Sequence, residues 1–266
     1  TILGSARGGL SRGPHVSEAS TAKRMGPSFT APPSPSLRHR VRAATPPELE
    51  RVPWWVLLDA PQRERVGADM QVADAEPGEF LCRIGRQATL WLGVVEGLLK
   101  MSNDSAQGAA VTFTGLPSGA WFGEGTLLKH EVYRYNIEVL RPSVVAGLPI
   151  ATFDWLLERS IPFNRFVLNQ LNERLGQFIA ARETDRLTHP DARVARNLAA
   201  LFHPVLYPGV GHLLRITQQE LGYLVGLSRQ RVNEALKALQ AAGLIRIEYG
   251  GLRVLDLQGL RSHAPG

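Results

Sequence analysis

Cysteine is almost missing from this chain. The single Cys82 in 266 residues has no partner for an intrachain disulfide and supplies no thiolate set for an iron–sulfur cluster or an all-cysteine zinc site. A reducing compartment, the cytoplasm, is therefore expected. Long apolar runs are lacking too: Val52 to Leu58 is typical and falls far short of the ~20 residues a membrane-spanning helix needs, so no membrane partner is expected. No Walker glycine loop, HExxH run, Ser-His-Asp set or pair of carboxylates can be read. An enzyme using Glu124 or His130 as a base thus has the least support. His130, His203 and His212 are too scattered for metal-ligand spacing, and no metal site is expected.

Acids are scarce at both ends. Residues 1–47 hold only Glu18 against seven basic side chains, residues 48–189 hold eighteen acids against fourteen bases, and residues 190–266 hold five against nine. The last third is thus the better candidate for a polyanion such as double-stranded DNA. The first 47 residues also contain seven prolines, seven serines and five glycines without a sustained apolar period. They read as a disordered tail, with a transit peptide as the alternative.

From about Pro47 the chain alternates short apolar stretches with glycine. Glu48 to Val66 reads as one or two short helices. Gly78–Ile84, Leu90–Val95, Leu98–Met101, Ala110–Phe113 and Ile137–Leu140 read as strands, with turns at Glu96-Gly97, Asn103-Asp104 and Pro117-Ser118-Gly119. That spacing suggests a sandwich or barrel. After Pro149 the pattern becomes helical: Phe153–Glu158 is short, and a long helix runs from near Pro162 to about Leu187. Leu168, Leu171, Leu175 and Phe178, spaced 3, 4 and 3, form a seam of the kind a coiled-coil pair buries. Self-association is the favoured reading, with packing on the chain's own core as the alternative.

His189-Pro190 breaks that helix, and Ala192–Leu201 starts another. Thr217-Gln218-Gln219-Glu220 is a capping box, in which Thr217 and Glu220 satisfy each other's backbone amides. Leu221, Leu224 and Val225 face inward, Gly226 permits a tight reversal, Leu227 plugs the corner, and Ser228 caps a second helix with Val232, Leu236 and Leu239 as its buried stripe. The opposite face begins Arg229, Gln230, Asn233 and Glu234, with Arg231 at its edge. Side chains at the start of such a second helix enter the major groove, where Arg matches guanine and Gln or Asn matches adenine. Leu244–Glu248, Gly250-Gly251 and Leu252–Leu255 form a hairpin, the wing of a winged helix. The candidate DNA contacts are Thr217, Gln218, Ser228, Arg229, Gln230, Arg231 and Asn233.

The stretch Ile216-Thr217-Gln218-Gln219-Glu220-Leu221-Gly222-Tyr223-Leu224-Val225-Gly226-Leu227-Ser228-Arg229-Gln230, followed by Ala241-Ala242-Gly243-Leu244-Ile245, closely resembles the DNA-binding pattern of the cyclic-AMP receptor protein and fumarate-nitrate regulator (Crp/Fnr) family. Leu92-Gly93-Val94-Val95-Glu96-Gly97-Leu98-Leu99-Lys100 resembles the paired strands of that family's β-roll. The resemblance covers about residues 50–258. It implies an α+β fold: a cyclic-nucleotide-binding-type β-roll over 48–160, a dimerisation helix over 161–188 and a C-terminal winged helix-turn-helix over 189–266. It also implies a bacterial homodimeric regulator on inverted-repeat DNA, with RNA polymerase as a further partner.

In the family's phosphate cassette, glycine amides and an arginine meet a phosphate and a glutamate accepts from the ribose. Gly123, Glu124, Gly125 and Arg134 match it. Tyr135 departs, replacing a small hydroxyl residue, and Phe178 and Ile179 stand where cyclic-AMP-responsive members offer hydroxyls to the adenine. The expected effector is therefore another anion or nucleotide, or a more apolar molecule. The alternatives are a roll that binds nothing and a buried Glu124–Arg134 ion pair kept as scaffold. Cys82 reads as a free core thiol.

Overall fold

The computed structural model describes residues 40–104, 110–184 and 189–263. Of the expected tail, residues 1–39 lie outside the described residues, whereas 40–47 are structured. Strand β1 (Arg42–Ala43) pairs with β2 (Gln71–Ala75), Arg40 pairs with Glu79, and α1 (Pro46–Glu50) follows. Glu48 secures this start: its carboxylate accepts from the Thr45 amide at 2.8 Å and from Arg42 Nη1 at 2.8 Å. Led by the Arg42 hydrogen bond, these contacts hold its pKa down to about 2 against the opposing effect of burial. After a 3₁₀ turn (Trp55–Leu57), α2 (Ala60–Asp69) starts on a reciprocal cap. Asp59 accepts from the Gln62 amide at 2.9 Å, and the Gln62 side chain accepts from the Asp59 amide at 3.2 Å.

The roll that follows consists of two antiparallel sheets. One has the order β1-β2-β9-β4-β7, with β4 Leu90–Glu96, β7 Trp121–Phe122 and β9 Ser143–Pro149. The other is β3-β8-β5-β6, with β3 Phe80–Cys82, β5 Leu98–Asp104, β6 Ala110–Pro117 and β8 Asn136–Val139. Strands β2, β7 and β9 escape the alternation test. Strand β9 is the middle strand of its sheet and is buried along most of its length, so it reads as an apolar run without a period of two. The expected turn at Asn103-Asp104 is corrected: both residues belong to β5 and pair with Val111 and Ala110. The turn at Gly97 is borne out, with φ +126°.

Packing of the roll centres on aromatic rings. Trp54, Trp91 and Trp121 stack, tilt or meet edge-on at 4.6 to 5.3 Å between centroids, and Phe153 and Phe163 close on Trp91 at 5.0 and 5.6 Å. This cluster ties the segment before α2 to β4, β7, α4 (Ile150–Arg159) and the long helix α5 (Ile161–Thr184). Gly93 lies flat on the Trp121 ring, where a Cβ would come within 2.4 Å of it. Gly93→Ala should therefore cost about 1–3 kcal/mol of stability by overpacking, read as a lower midpoint in urea. An unchanged midpoint would mean the ring can move aside.

Beyond α5 come α6 (Pro190–Ala200), α7 (Gln218–Val225), α8 (Arg229–Ala241) and a three-stranded sheet in the order β10-β12-β11 (Leu213–Leu214, Gly251–Val254, Ile245–Glu248). A short α9 (Leu257–Ser262), capped by Asp256, follows the wing. Cys82 is free and buried, and burial pushes its thiol pKa up, as expected of a core residue. No helix among the described residues is long and apolar enough to cross a membrane.

Candidate functional site

The local code for α7 and α8 is realised as read. Thr217 Oγ1 accepts from the Glu220 amide at 3.2 Å, and Glu220 Oε2 accepts from the Thr217 amide at 2.7 Å. Gly226 takes the left-handed conformation, φ +67°, and Ser228 Oγ accepts from the Arg231 amide at 3.3 Å. Leu221, Leu224, Val225, Val232, Leu236 and Leu239 are buried. Arg229, Gln230 and Arg231 are consequently exposed at the first turn of α8. Asn233 is half-buried, and its Oδ1 accepts from Gln218 Nε2 at 3.0 Å. These two residues therefore brace α7 against α8. The Thr217 and Ser228 oxygens serve as caps while their hydroxyl hydrogens stay available to an acceptor. The wing turns at Gly250, φ +74°, beside a fully exposed Tyr249.

The second site is a cavity of about 640 Å³ between the roll and α5. Gly123, φ +93°, precedes the short helix α3 (Glu124–Leu128). Glu124 is almost fully buried, and its partner is Arg174 from α5: Nε donates to Oε1 at 2.9 Å, while Nη2 donates to the Trp121 carbonyl at 2.7 Å. Arg134 instead lies on the rim, 76% exposed, bound to Glu131 at 3.0 Å. A buried Glu124–Arg134 pair is thus corrected to Glu124–Arg174. Desolvation opposes the Arg174 charge, but the charge and hydrogen bond of Glu124 outweigh it and raise the pKa. Arg174 could have been noticed as a cation three residues after Leu171 and four before Phe178.

Tyr135 is half-buried and packs edge-on against Tyr133, with centroids 5.8 Å apart. Its hydroxyl stands over the Gly123 loop, 3.7 Å from where a Cβ would be. Burial, then Cys82 and Glu124, push its phenol pKa up. Met101, Phe113, Leu171 and Phe178 give the cavity an apolar floor, and Lys129, Arg134 and Arg182, with Glu131 paired to the first two, give it a rim of net positive charge. Phe178 meets Phe113 edge-on at 6.2 Å. Ile179 faces away and is 59% exposed.

The four-residue seam on α5 divides. Leu168 and Leu175 are 59% and 60% exposed, and Ile161 and Ile179 extend them into one apolar stripe, whereas Leu171 and Phe178 pack on the roll. Leu171 and Phe178 thus also serve the chain's own core while staying part-exposed.

Polar contacts join α5 and the roll to the C-terminal part. Gln170 Nε2 donates to the Val205 carbonyl at 2.9 Å, and Arg141 Nη2 donates to the Arg215 carbonyl at 2.7 Å and to Glu220 Oε2 at 2.9 Å. His203 Nε2 lies 3.1 Å from Glu173 Oε2, and its Nδ1 accepts from the amides of Val205 and Leu206 at 3.3 and 3.2 Å. A ring whose Nδ1 is an acceptor resists protonation. Burial, with Arg261 and Arg174, lowers its pKa below the usual 6.5 despite Glu173. A lowered folded-state value gives stability that is present above about pH 6.5 and is lost as the pH falls. Between pH 7.5 and 5.5 the wild type should lose more stability in urea than His203→Asn. An equal loss would remove His203 as a cause.

Two family models match the chain: a cyclic nucleotide-binding domain over residues 73–160 and a Crp-like helix-turn-helix domain over residues 192–263. The chain is 27% identical over 171 residues to the cAMP-activated global transcriptional regulator CRP of Haemophilus influenzae, covering 62% of this chain and 75% of that one. It is 27% identical over 182 residues to the transcriptional regulator LdrP of Thermus thermophilus, covering 68% and 90%. Among solved structures, FixK2 of Bradyrhizobium japonicum superposes with a TM-score of 0.59 at 15% identity over 74% of this chain and 99% of that one. A Crp/Fnr-family regulator of Eubacterium rectale does so with 0.54 at 18% identity over 80% and 100%. At these identities the structures establish a shared fold.

Proposed function

Because the chain belongs to the Crp/Fnr family of DNA-binding transcription regulators, we propose that it acts in the bacterial cytoplasm as a homodimer on inverted-repeat DNA, controlled by a small effector other than cyclic AMP. One observation carries the DNA part: α8 is capped at Ser228, buries Val232, Leu236 and Leu239, and leaves Arg229, Gln230 and Arg231 exposed at its start. Two such helices related by a two-fold axis reach successive major grooves, so half-site centres should lie about 10 base pairs apart. RNA polymerase is the partner expected once the dimer is on DNA.

Arg229 is the leading base reader in this account, and losing a good bidentate pair costs about 1–3 kcal/mol of discrimination. In fluorescence anisotropy, Arg229→Ala should weaken specific binding by that amount and non-specific binding much less. An equal loss on both DNAs would make Arg229 a phosphate contact.

The effector part rests on the cavity. A cyclic phosphate at the Gly123 loop would have to share space with the Tyr135 ring. Arg134 would have to leave Glu131 to reach that phosphate, and Phe178 gives an adenine edge no hydrogen-bond partner. Each buried donor left unpaired costs about 1–3 kcal/mol. The cationic rim over an apolar floor favours an anion with an apolar body. Calorimetry should show weak or no heat with micromolar cyclic AMP. Low-micromolar binding abolished by Arg134→Ala would restore the nucleotide reading.

A further inference from the structure

The exposed start of α8 carries one acid, Glu234, among Arg229, Gln230, Arg231 and Asn233. An acid on a face turned to DNA is repelled by the phosphates, so its presence there calls for a compensating role. Its two carboxylate oxygens are both engaged within the helix. Oε1 accepts from Gln230 Nε2 at 3.2 Å, and Oε2 accepts from Arg231 Nη1 at 2.5 Å. The hydrogen bonds from Arg231 and then Gln230 lower its pKa, so it is fully ionised at neutral pH.

Neither contact serves the fold. All three side chains are exposed, and exposed pairs at these helical spacings add little to stability. What the contacts change is orientation. A carboxylate only accepts, so it forces the Gln230 amide to turn its nitrogen toward Glu234 and commits one of the two N–H groups. The other N–H and the carbonyl oxygen stay available, which is the donor and acceptor set that adenine matches with N7 and N6 in the major groove. At the same time Arg231, drawn along the helix toward Glu234, is held back from the base edges, leaving Arg229 as the cation at the helix start that Glu234 does not engage.

We propose that Glu234 is a positioning residue for sequence readout: it sets Gln230 to read adenine and keeps Arg231 out of direct base recognition. The proposal rests on the DNA-binding reading above, and its test separates the two.

Binding sites are selected from a randomised double-stranded library with the full-length wild type, Gln230→Ala, Glu234→Ala and Glu234→Gln. The wild type should enrich an inverted repeat with an adenine at one position of each half-site. Gln230→Ala and Glu234→Ala should lose that preference at the same position, by at least about fivefold (1 kcal/mol is a factor of about 5). Glu234→Gln, whose amide oxygen still accepts from Gln230, should keep it. Glu234→Ala and Glu234→Gln should also bind mixed-sequence DNA more tightly than the wild type, with a steeper salt dependence, since Arg231 becomes free for a phosphate. A purely structural residue would leave the position-specific preference and its rescue untouched.

Retention of the adenine in Glu234→Ala would overturn the proposal. So would loss of a cytosine at a different position, because Glu234 would then itself be the base reader. A wild type that enriches no inverted repeat would overturn the DNA-binding reading, and the proposal with it.

Discussion

Arg174→Met should lose about 3–5 kcal/mol of folding stability, the cost of leaving a buried carboxylate without its counter-charge. Glu124 has 2% of its side chain exposed and Arg174 has 10%, so solvent has little access to either. Replacing both partners should be far milder, because two apolar or neutral groups of similar shape require no charge to be buried. Urea denaturation of Arg174→Met, Glu124→Gln and the double variant checks this. The double variant should recover most of the loss, giving a coupling of several kcal/mol in the cycle. A single Arg174→Met loss under about 1 kcal/mol would show that water reaches Glu124 and that the bridge does little. The bridge joins α5 to α3 and to the Trp121 carbonyl of β7 at the wall of the cavity. A ligand there would therefore meet the same two groups that fix the long helix to the roll.

The second large effect concerns assembly. Leu168→Lys with Leu175→Lys should give a monomer and reduce affinity for an inverted repeat by about 10² to 10⁴, since each half-site would then be bound without the linked second event. Ile161, Leu168, Leu175 and Ile179 together expose one apolar stripe along α5; a second copy of the same stripe is the symmetric way to cover it. Analytical ultracentrifugation reads the mass, and anisotropy on a symmetric site reads the affinity. A dimer of unchanged stability would move the interface elsewhere. Leu171→Ala is the counterpart: Leu171 packs on the roll, so this change should lower stability and leave the monomer–dimer equilibrium nearly as it was.

Helix α5 serves two surfaces at once, and the local pattern does not separate them. Its buried positions are Phe163, Val167, Gln170 and Arg174, spaced 4, 3 and 4. Two of the four are polar, so a search for apolar periodicity passes over this face. It settles instead on Leu168, Leu171, Leu175 and Phe178, which mixes the stripe left open with side chains that lean onto the roll. Gln170 and Arg174 are tolerated inside because each finds a carbonyl or carboxylate on another element, Val205 and Glu124 respectively. Those partners lie 35 and 50 positions away in the chain, and no local pattern announces them.

The helix-turn-helix stands at the opposite extreme. Its caps, left-handed glycine and buried stripe act over three or four residues, a range within which backbone chemistry alone selects the conformation. Thr217, Glu220, Gly226 and Ser228 therefore determined both helices and the face that carries Arg229 and Gln230 before any fold was known. Tertiary packing alone decided that Glu124 pairs with Arg174, that Arg134 goes to Glu131 on the rim, and that Tyr135 stands over the Gly123 loop. A buried charge takes whichever counter-charge the packing of distant elements brings within hydrogen-bond reach. That choice follows from where α5 settles on the roll, which is the sum of many weak contacts, among them the Trp54, Trp91 and Phe163 rings.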